Sequence, residues 1–352
     1  MIATLSAGAA GTAAEYRLQA VSVQCSASEH GLPRAVTVRE VGPRDGFQNE
    51  PETIPTERKV ALIDALARTG LRRLEVTSFV RPDVIPQLAD AEEVLARIDV
   101  PAEVSISVLI PNERGLDKAL ALREGGVARE RAAFDEINVF MSASETHNRK
   151  NVNRSIAQSL AGLEVVLARA REAGLRCEAV ISTSFGCPYE GHVPVERVLE
   201  LAARLRDAGA QEIGFGDTTG MANPLQVRRF FAQARQELRP GEGKGEGDRK
   251  TLQLTAHFHN TRGQGLANVL AALEAGVDSF ESSFGELGGC PVPAGATGNI
   301  ATEDLVSMLH EMGIQTGIDL QALLACSRQA QEVLGRPLGS HTLVAGPVQW
   351  NA

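Results

Sequence analysis

Two histidines separated by a single residue lie in the stretch HFHNTRG, residues 257–263, of a chain that has only seven histidines. In a β-strand, residues two apart point to the same face, so His257 and His259 would present both imidazoles to one side. Such a pair either packs as ordinary strand residues or binds a divalent metal ion. The choice depends on which other ligands converge with it.

Other candidate ligands lie in two distant stretches. GPRDGFQNE, which begins at Gly42, supplies Arg44 and Asp45, and GGCPVPAGATGN ends in Asn299. With the two histidines they form a mixed set of nitrogen and oxygen donors, which suits a borderline or hard divalent ion with positions open for substrate and water. Arg44 either pairs with Asp45 or Glu75, or stabilises negative charge that develops on a substrate.

The secondary structure that must bring these residues together alternates regularly from Val36 onward. Runs rich in Val, Ile and Phe predict eight strands, at 36–41, 72–78, 103–110, 136–142, 176–183, 212–217, 252–259 and 277–283. Amphipathic segments between them predict helices, among them 56–70, 155–174, 195–209 and 265–276. Strands that alternate with helices are typical of parallel sheets. Eight such units predict an α/β fold, a (β/α)8 TIM barrel of ~250 residues, in preference to an open doubly wound sheet.

The domain organisation follows from the extent of this repeat. Residues 1–34, rich in small side chains, predict a flexible N-terminal extension without chemistry of its own. Residues 35–336 predict the catalytic barrel with one extra C-terminal helix, at 318–336, and residues 337–352 a C-terminal tail. The glycine-rich stretch 240–250 lacks the strand–loop–helix context and the GK[ST] ending of a phosphate loop, so it predicts a surface loop.

A barrel explains how residues far apart in the chain form one site, because barrel active sites lie at the carboxyl ends of the strands. Asp45, His257, His259 and Asn299 end or follow the first, seventh and eighth predicted strands, which are neighbours in a closed barrel. The sequence therefore predicts that all four side chains meet at one end of the barrel.

Further reactive side chains belong to the same end: Glu75 in the second strand, Asp217 at the end of the sixth, and Cys290 after the eighth. Cys290 lies in a glycine-rich loop, where a thiol is either a general acid or base or an incidental loop residue; we favour the first. Cys177 and Cys326 lie in strand and helix patterns and are predicted to be buried and inert.

Composition excludes several classes of protein. A net charge of −9 argues against nucleic-acid binding, which usually needs a basic patch. The five cysteines are scattered, odd in number and without a CxxC pair, which favours a reducing compartment, predicted to be the cytoplasm, over a disulfide framework. No apolar run is long enough for a transmembrane helix, and the N-terminus lacks the positive region of a signal peptide.

The stretches that carry these residues resemble the 3-hydroxy-3-methylglutaryl-CoA lyase family, in order, from about Val38 to Gly317. They are GPRDGFQNE, EVTSFVRPDVIPQLAD, GCPYEG, GDTTG, HFHNTRGQGLAN and GGCPVPAGATGNIATEDL. RDGxQ with HxH also marks a wider group of metal-dependent barrel lyases and synthases. The GGCP loop, followed nine residues after its Cys by Asn, is the more specific mark of the lyase.

The resemblance implies a role for each candidate residue. It implies a divalent metal, Mg²⁺ or Mn²⁺, held by Asp45, His257, His259 and Asn299. It also implies substrate binding by Arg44 and Gln48, and catalytic roles for Arg44, Glu75, Asp217, His257 and Cys290, with Arg44 stabilising an enolate and Cys290 or His257 delivering a proton. The implied reaction cleaves 3-hydroxy-3-methylglutaryl-CoA to acetyl-CoA and acetoacetate, as in leucine degradation. The implied protein is a homo-oligomer, with a dimer as the favoured state.

The chain departs from the lyase pattern at three positions. Asn260 stands where the lyases usually have Asp, Glu286 where they usually have Gly, and Thr183 where they usually have Cys. These changes leave the metal set intact and bear on which acyl-CoA is used.

Two alternative functions are weighed against the lyase. The first is a Claisen-condensing acyltransferase of the isopropylmalate or citramalate synthase type, against which stand the GGCP loop and the lack of an added C-terminal regulatory domain. The second is a binding protein that has lost activity, against which stands the presence of every expected reactive residue. A further alternative is a lyase that cleaves a different 3-hydroxyacyl-CoA by the same reaction.

Overall fold

The protein is a closed barrel of eight parallel strands, each paired with the next, with β8 paired to β1. The computed structural model describes residues 30–125, 133–238, 252–289 and 297–349. The strands are β1 Thr37–Glu40, β2 Arg73–Ser78, β3 Ser105–Leu109, β4 Glu136–Ser142, β5 Arg176–Ser182, β6 Glu212–Asp217, β7 Gln253–Phe258 and β8 Ser279–Ser282. The predicted (β/α)8 barrel is confirmed. Residues 1–29 of the predicted extension, the glycine-rich stretch 240–250 and Cys290 lie outside the described residues.

Helices surround the barrel. They are α1 Thr56–Leu66, α2 Ala91–Arg97, α3 Glu113–Glu124, α4 Glu145–Val152, α5 Ile156–Glu172, α6 Val195–Ala208, α7 Pro224–Glu237, α8 Gly265–Glu274, α9 Thr302–Glu311, α10 Leu320–Leu334 and α11 His341–Ala345. The predicted extra C-terminal helix is α10, and the short α11 lies within the predicted tail. No helix in the described part of the chain is long and apolar enough to cross a membrane.

Local sequence signals set where these helices begin. Before α5, the Ser155 hydroxyl accepts from Gln158 N at 3.1 Å, and the Gln158 side chain accepts from Ser155 N at 2.9 Å. This reciprocal pair satisfies two amides that would otherwise lack partners at the helix start. Asp319 and Ser340 cap α10 and α11 through their side-chain oxygens.

The apolar core lies between the strands and the helices. Parallel strands are covered on their outer face by crossover helices, so their outward residues are apolar. A cluster of aromatic rings shows this packing: the ring of Phe230 in α7 lies 4.9 Å from the rings of Phe185 and Phe215, centroid to centroid. Phe231 and Phe258 complete the cluster.

The barrel interior, by contrast, is charged at the amino ends of its strands. We call Arg39, Arg73, Glu136, Glu178 and Glu212 the basal ion-pair layer; all five are buried. Arg73 donates to Glu212 Oε1 at 2.8 Å and to Glu136 Oε2 at 2.6 Å. Arg39 pairs with Glu136 at 3.2 Å and also with Glu178. The sequence analysis did not predict this layer.

At the carboxyl ends of the strands, the buried carboxylate of Glu40 forms hydrogen bonds with the loops that follow β1 and β8. Glu40, the last residue of β1, accepts from Gly42 N at 2.7 Å and from Phe284 N at 3.0 Å. It also accepts from the Thr302 hydroxyl at 2.6 Å. The loops that follow β1 and β8 are therefore fixed to each other where they carry polar side chains into the barrel mouth.

Candidate active site

The loop after β1 carries two charged residues into the mouth. A tight helical turn, Gly42–Gly46, begins where Asp45 N donates to Val41 O at 2.7 Å. Arg44 donates to Asp45 Oδ1 at 2.5 Å and to Glu75 Oε2 at 2.7 Å. Glu75 is fully buried in β2, and its other oxygen accepts from Asn138 Nδ2 at 3.2 Å. Arg44 is thus held on both sides by carboxylates.

These contacts set the charge states. Burial alone would lower the pKa of Arg44, but Glu75 and Asp45 outweigh it and raise the pKa above its usual range. Burial likewise raises the pKa of Glu75, opposed by the charge of Arg44. For Asp45, the cations around it outweigh burial and lower the pKa. Arg44 is therefore a fixed positive charge at the mouth.

The two histidines of the β7 end point their Nε2 atoms toward each other, 3.1 Å apart. His257 Nδ1 lies 2.9 Å from Glu281 Oε2, on the neighbouring strand. A carboxylate at Nδ1 keeps the proton there and leaves the lone pair of Nε2 facing the site. Burial lowers the pKa of His257, but the hydrogen bond and charge of Glu281 and the charge of Asp45 together outweigh burial and raise that pKa. Burial, followed by the charge of His257, lowers the pKa of His259 to about 3.

Together these side chains fit a metal ion. One ligand atom each from Asp45, His257 and His259 lies within 4.8 Å of the others. Asn299 is buried beside them, and its Nδ2 donates to Asp45 Oδ2 at 2.8 Å. Asn299 Oδ1 is buried without a hydrogen-bond partner among the described residues. Two imidazoles, a carboxylate and a free amide oxygen are a donor set suited to a divalent cation with open positions.

A cavity of ≈ 330 Å³ opens onto this cluster. Arg44, Asp45, Gln48, His257 and His259 all line it. Gln48 Nε2 also donates to Asp45 Oδ1 at 2.8 Å. The cavity lies within the usual size range of small-molecule sites, and Asp45, His257 and His259 are part of its lining.

Of the predicted catalytic residues, Asp217 is set apart from the candidate metal ligands, and Cys290 falls outside the described part of the chain. Asp217 lies at the end of β6 and is not among the residues that line the cavity. Its Oδ1 accepts from Met221 N at 2.7 Å and Ala222 N at 3.0 Å, so it organises its own loop. Its buried Oδ2 has no partner in the described ranges, and burial raises its pKa to about 6. Cys290 lies outside the described residues, and the chain before it, at Gly289, reaches the cavity. The catalytic roles of both stay predictions.

Sequence reasoning missed two residues of the site. Glu281 was overlooked because candidates were taken from strand ends, whereas this residue lies inside β8. The signal was present, since Glu281 is two residues before the strand's predicted end at Ser283 and would be an inward-facing acid. Asn138 similarly faces inward from β4 and contacts Glu75.

Comparisons with known proteins find relatives that span most of the chain. A family profile described as HMGL-like matches residues 35–329. Hydroxymethylglutaryl-CoA lyase YngG of Bacillus subtilis is 46% identical over 88% of this chain and 97% of its own length. A mitochondrial hydroxymethylglutaryl-CoA lyase of Gallus gallus is 41% identical over 83% of this chain and 91% of its own length. The structure of an HMG-CoA lyase from Acinetobacter baumannii with coenzyme A and 3-methylmalate superposes with a TM-score of 0.79, at 40% identity, covering 89% of this chain and 96% of that one.

Proposed function

Because the chain belongs to the HMGL-like family, we propose that it cleaves 3-hydroxy-3-methylglutaryl-CoA into acetyl-CoA and acetoacetate. The observation that carries this proposal is the convergence of Asp45, His257 and His259 beside Arg44 in a cavity at the barrel mouth. Its relatives named above are lyases that act on this thioester or bind coenzyme A. A condensing synthase, the alternative considered from the sequence, has no comparable support from them.

The reaction is a retro-Claisen cleavage. The bond between carbon-2 and carbon-3 breaks, its electron pair enters the thioester to give an enolate, and the 3-hydroxyl becomes the ketone of acetoacetate. The hydroxyl proton leaves to a side-chain base, and one proton returns to carbon-2 to give acetyl-CoA. Asp45, His257, His259 and Asn299 would hold the divalent metal. A bound Mg²⁺ or Mn²⁺ lowers the pKa of the hydroxyl and polarises substrate oxygens.

The remaining steps fall to the chain's own residues. Arg44, fixed by Glu75, offers its positive charge to the enolate oxygen. The sequence predicts Cys290 or His257 as the donor of the proton that returns to carbon-2. His257 would use Nε2 for the metal and Nδ1 for Glu281, which favours Cys290 for this step. Asp217, with one unpartnered oxygen in the described structure, is the further candidate base. Gln48 contacts Asp45 and helps to bind substrate at the cavity wall.

A direct assay tests the reaction. Purified protein with Mg²⁺ or Mn²⁺ is given a panel of 3-hydroxyacyl-CoA thioesters, and the release of acetyl-CoA is followed. We expect 3-hydroxy-3-methylglutaryl-CoA to be the best substrate and acetoacetate to form in equal amount. Cleavage of another member of the panel with higher kcat/KM would replace the substrate while keeping the reaction. Condensation of acetyl-CoA with a 2-oxo acid, without cleavage, would instead establish the synthase.

Three narrower properties belong to the same proposal. The metal is Mg²⁺ or Mn²⁺, the protein acts in the cytoplasm in leucine degradation, and it forms a homodimer. Support for the metal is the oxygen and nitrogen donor set, and support for the compartment is the scattered, odd set of cysteines. Metal analysis, fractionation of the source cells and light scattering test the three properties in turn.

A further inference from the structure

We propose that Asn260 and Glu286 form a positioning pair that holds His259 and Asn299 in register for a divalent metal ion; this inference rests on the metal site of the proposed function. Asn260 directly follows His259 in the chain, and its Nδ2 donates to Glu286 Oε1 at 2.8 Å. Both side chains are half-buried beside the cavity loops. Neither is a metal ligand, so their effect is exerted through the residues they fix.

Three loop segments at the mouth contact one another in a closed ring. Asn260 N donates to Gly298 O at 3.1 Å, and His259 forms an isolated antiparallel bridge with Asn299. Asn299 Nδ2 donates to Leu287 O at 2.9 Å. The hydrogen bond from Asn260 to Glu286 closes the third side. Two of the three segments carry a predicted ligand, His259 or Asn299. The third, Glu286–Leu287, contacts both of them.

Glu286 is closely packed on its backbone and side-chain sides, which leaves it little room to shift. A Cβ placed on Gly298 would lie 2.3 Å from Glu286 O. A Cβ on Gly339 would lie 2.2 Å from Glu286 Oε2. The Glu286 side chain is therefore enclosed between Asn260 on one side and the C-terminal segment on the other. A shift of Glu286 must move the backbone that contacts Asn299.

Glu286 keeps an unfavourable backbone conformation in this position. Its φ is 60°, in the left-handed region that residues with a Cβ rarely adopt. Such a conformation persists where the surrounding contacts determine it, and it clusters at functional sites. Here the contacts include the backbone bond from Glu286 N to Ser283 O at 3.1 Å and the side-chain bond from Asn260, so the carboxylate contributes to holding the turn.

The donor and acceptor pattern explains why an amide and a carboxylate occur together. Asn260 uses both ends of its amide, because Oδ1 accepts from Gly265 N at 3.3 Å while Nδ2 donates to Glu286. An aspartate at position 260 would accept from Gly265 but could donate nothing to a carboxylate. Two of the three departures from the lyase pattern, Asn260 and Glu286, are thus one linked change, because the two side chains contact each other.

A swap of donor and acceptor tests the pair. Asn260→Asp, Glu286→Gln and the double variant are prepared, and Mn²⁺ affinity is measured by electron paramagnetic resonance without substrate. We expect Asn260→Asp to weaken Mn²⁺ binding by about ten- to hundredfold, the usual effect of losing a residue that orients a ligand. Glu286→Gln should bind normally, because its amide oxygen still accepts from Asn260. The double variant should regain the parent's Mn²⁺ affinity, because the carboxylate introduced at position 260 would accept a hydrogen bond from the amide introduced at position 286.

Asn223→Asp serves as the matched control. Asn223 is exposed at the start of α7, and its side chain only accepts, from Gln226 N at 3.1 Å. It adds the same charge at the same end of the barrel and should leave Mn²⁺ affinity unchanged. Thermal unfolding of each variant verifies that binding is measured on folded protein.

Three results would overturn the inference. The first is an Asn260→Asp variant whose Mn²⁺ affinity stays within about twofold of the parent's, a change well below that expected for a residue that orients a ligand. The second is a double variant that fails to recover. The third is a parent protein that binds no Mn²⁺. Normal Mn²⁺ binding with the expected recovery, but no thioester cleavage, would refute the proposed function and leave the positioning pair standing.

Discussion

The barrel interior contains two buried groups of charges, the basal ion-pair layer and the mouth cluster of Arg44, Asp45, Glu75, His257 and His259. In the basal layer each arginine lies between carboxylates, as Arg73 does between Glu136 and Glu212. In the mouth, two imidazole nitrogens face each other at 3.1 Å beside a carboxylate. Both groups are buried and charged, yet in the mouth one possible ligand atom each from Asp45, His257 and His259 lies within 4.8 Å of the others.

This difference shows what distinguishes a site from a scaffold. Buried charge by itself marks neither, since opposite charges can saturate one another and only specify packing. Unpartnered acceptors that converge, such as Asn299 Oδ1 in the described structure, need a further group to satisfy them. Glu281 connects the two groups. Its Oε1 accepts a hydrogen bond from Arg39 of the basal layer at 3.0 Å, and its Oε2 lies 2.9 Å from His257 Nδ1 in the mouth.

The largest expected effect is the loss of turnover when the metal is removed, and only changes in the mouth should cause it. Chelation should abolish turnover completely, and Mg²⁺ or Mn²⁺ should restore it, because a bound metal ion would lower the pKa of the substrate hydroxyl. His259→Ala removes a proposed ligand, so the variant should lose both metal and activity, whereas Arg73→Met in the basal layer should keep its metal. Metal content by mass spectrometry is measured beside turnover. Full activity in metal-free protein would refute the assignment of the mouth.

Cys290 should be the reactive thiol of the chain. Burial raises the pKa of Cys177 to about 12 and that of Cys326 to about 11, so neither is readily ionised. Cys290→Ser should lower kcat by about a hundred- to ten-thousand-fold while metal binding is retained, if the thiol transfers a proton. A stoichiometric thiol reagent should label Cys290 first, and substrate should protect it. A first label on Cys187 or Cys326, mapped by mass spectrometry, would contradict the role.

Arg44→Gln tests whether the mouth stabilises charge in the transition state. We expect kcat to fall by about a hundred- to thousandfold with little change in KM, because the enolate charge exists mainly in the transition state. Steady-state kinetics at saturating metal provide the measurement. A variant that raises KM and leaves kcat intact would make Arg44 an anchor for the ground state.

Arg73→Met tests the basal layer as a scaffold. It leaves the buried Glu136 and Glu212 without this cation, which should lower the free energy of unfolding by about 3–5 kcal/mol. The kcat of the folded fraction should be unchanged. Arg81→Met, which breaks an exposed pair with Asp83, should cost only about 0–1 kcal/mol in denaturant titrations. Equal losses in the two variants would mean that the layer contributes no more than a surface pair.

Glu40 offers a contrast that depends on pH, because it is a buried carboxyl whose contacts in the described structure are neutral donors rather than a cation. Burial raises its pKa to about 8, above an unfolded value near 4.5. The folded protein therefore holds a proton that the unfolded chain releases, so this contribution to stability is complete below about pH 4.5 and is lost as the pH rises through 8. The slope is at most about 1.4 kcal/mol per pH unit. Glu40→Gln should flatten the dependence of the unfolding free energy on pH; an unchanged slope would contradict the protonated state.

The sequence predicted the barrel and the ligand cluster for the same reason. Alternating strands and helices impose one topology, and that topology makes the ends of β7, β8 and β1 neighbours, so Asp45, His257 and Asn299 could be grouped from chain order. Orientation was harder to predict. Nothing in the sequence showed that Asp217 accepts from its own loop amides. The basal layer escaped notice because Glu136 and Glu212 open their strands, where charged residues usually signal the surface. α4, in the polar stretch ETHNRKNV, lacks the periodicity that predicts a helix.

The hydrogen bond between Asn299 and Asp45 joins residues 254 positions apart. It connects the loops that follow β1 and β8, the first and last strands, whose pairing closes the barrel. Contacts of such long sequence separation are slow to form, because the entropy of closing a large loop precedes any gain. During refolding, metal binding would therefore appear after most of the secondary structure, and its time course would report barrel closure itself.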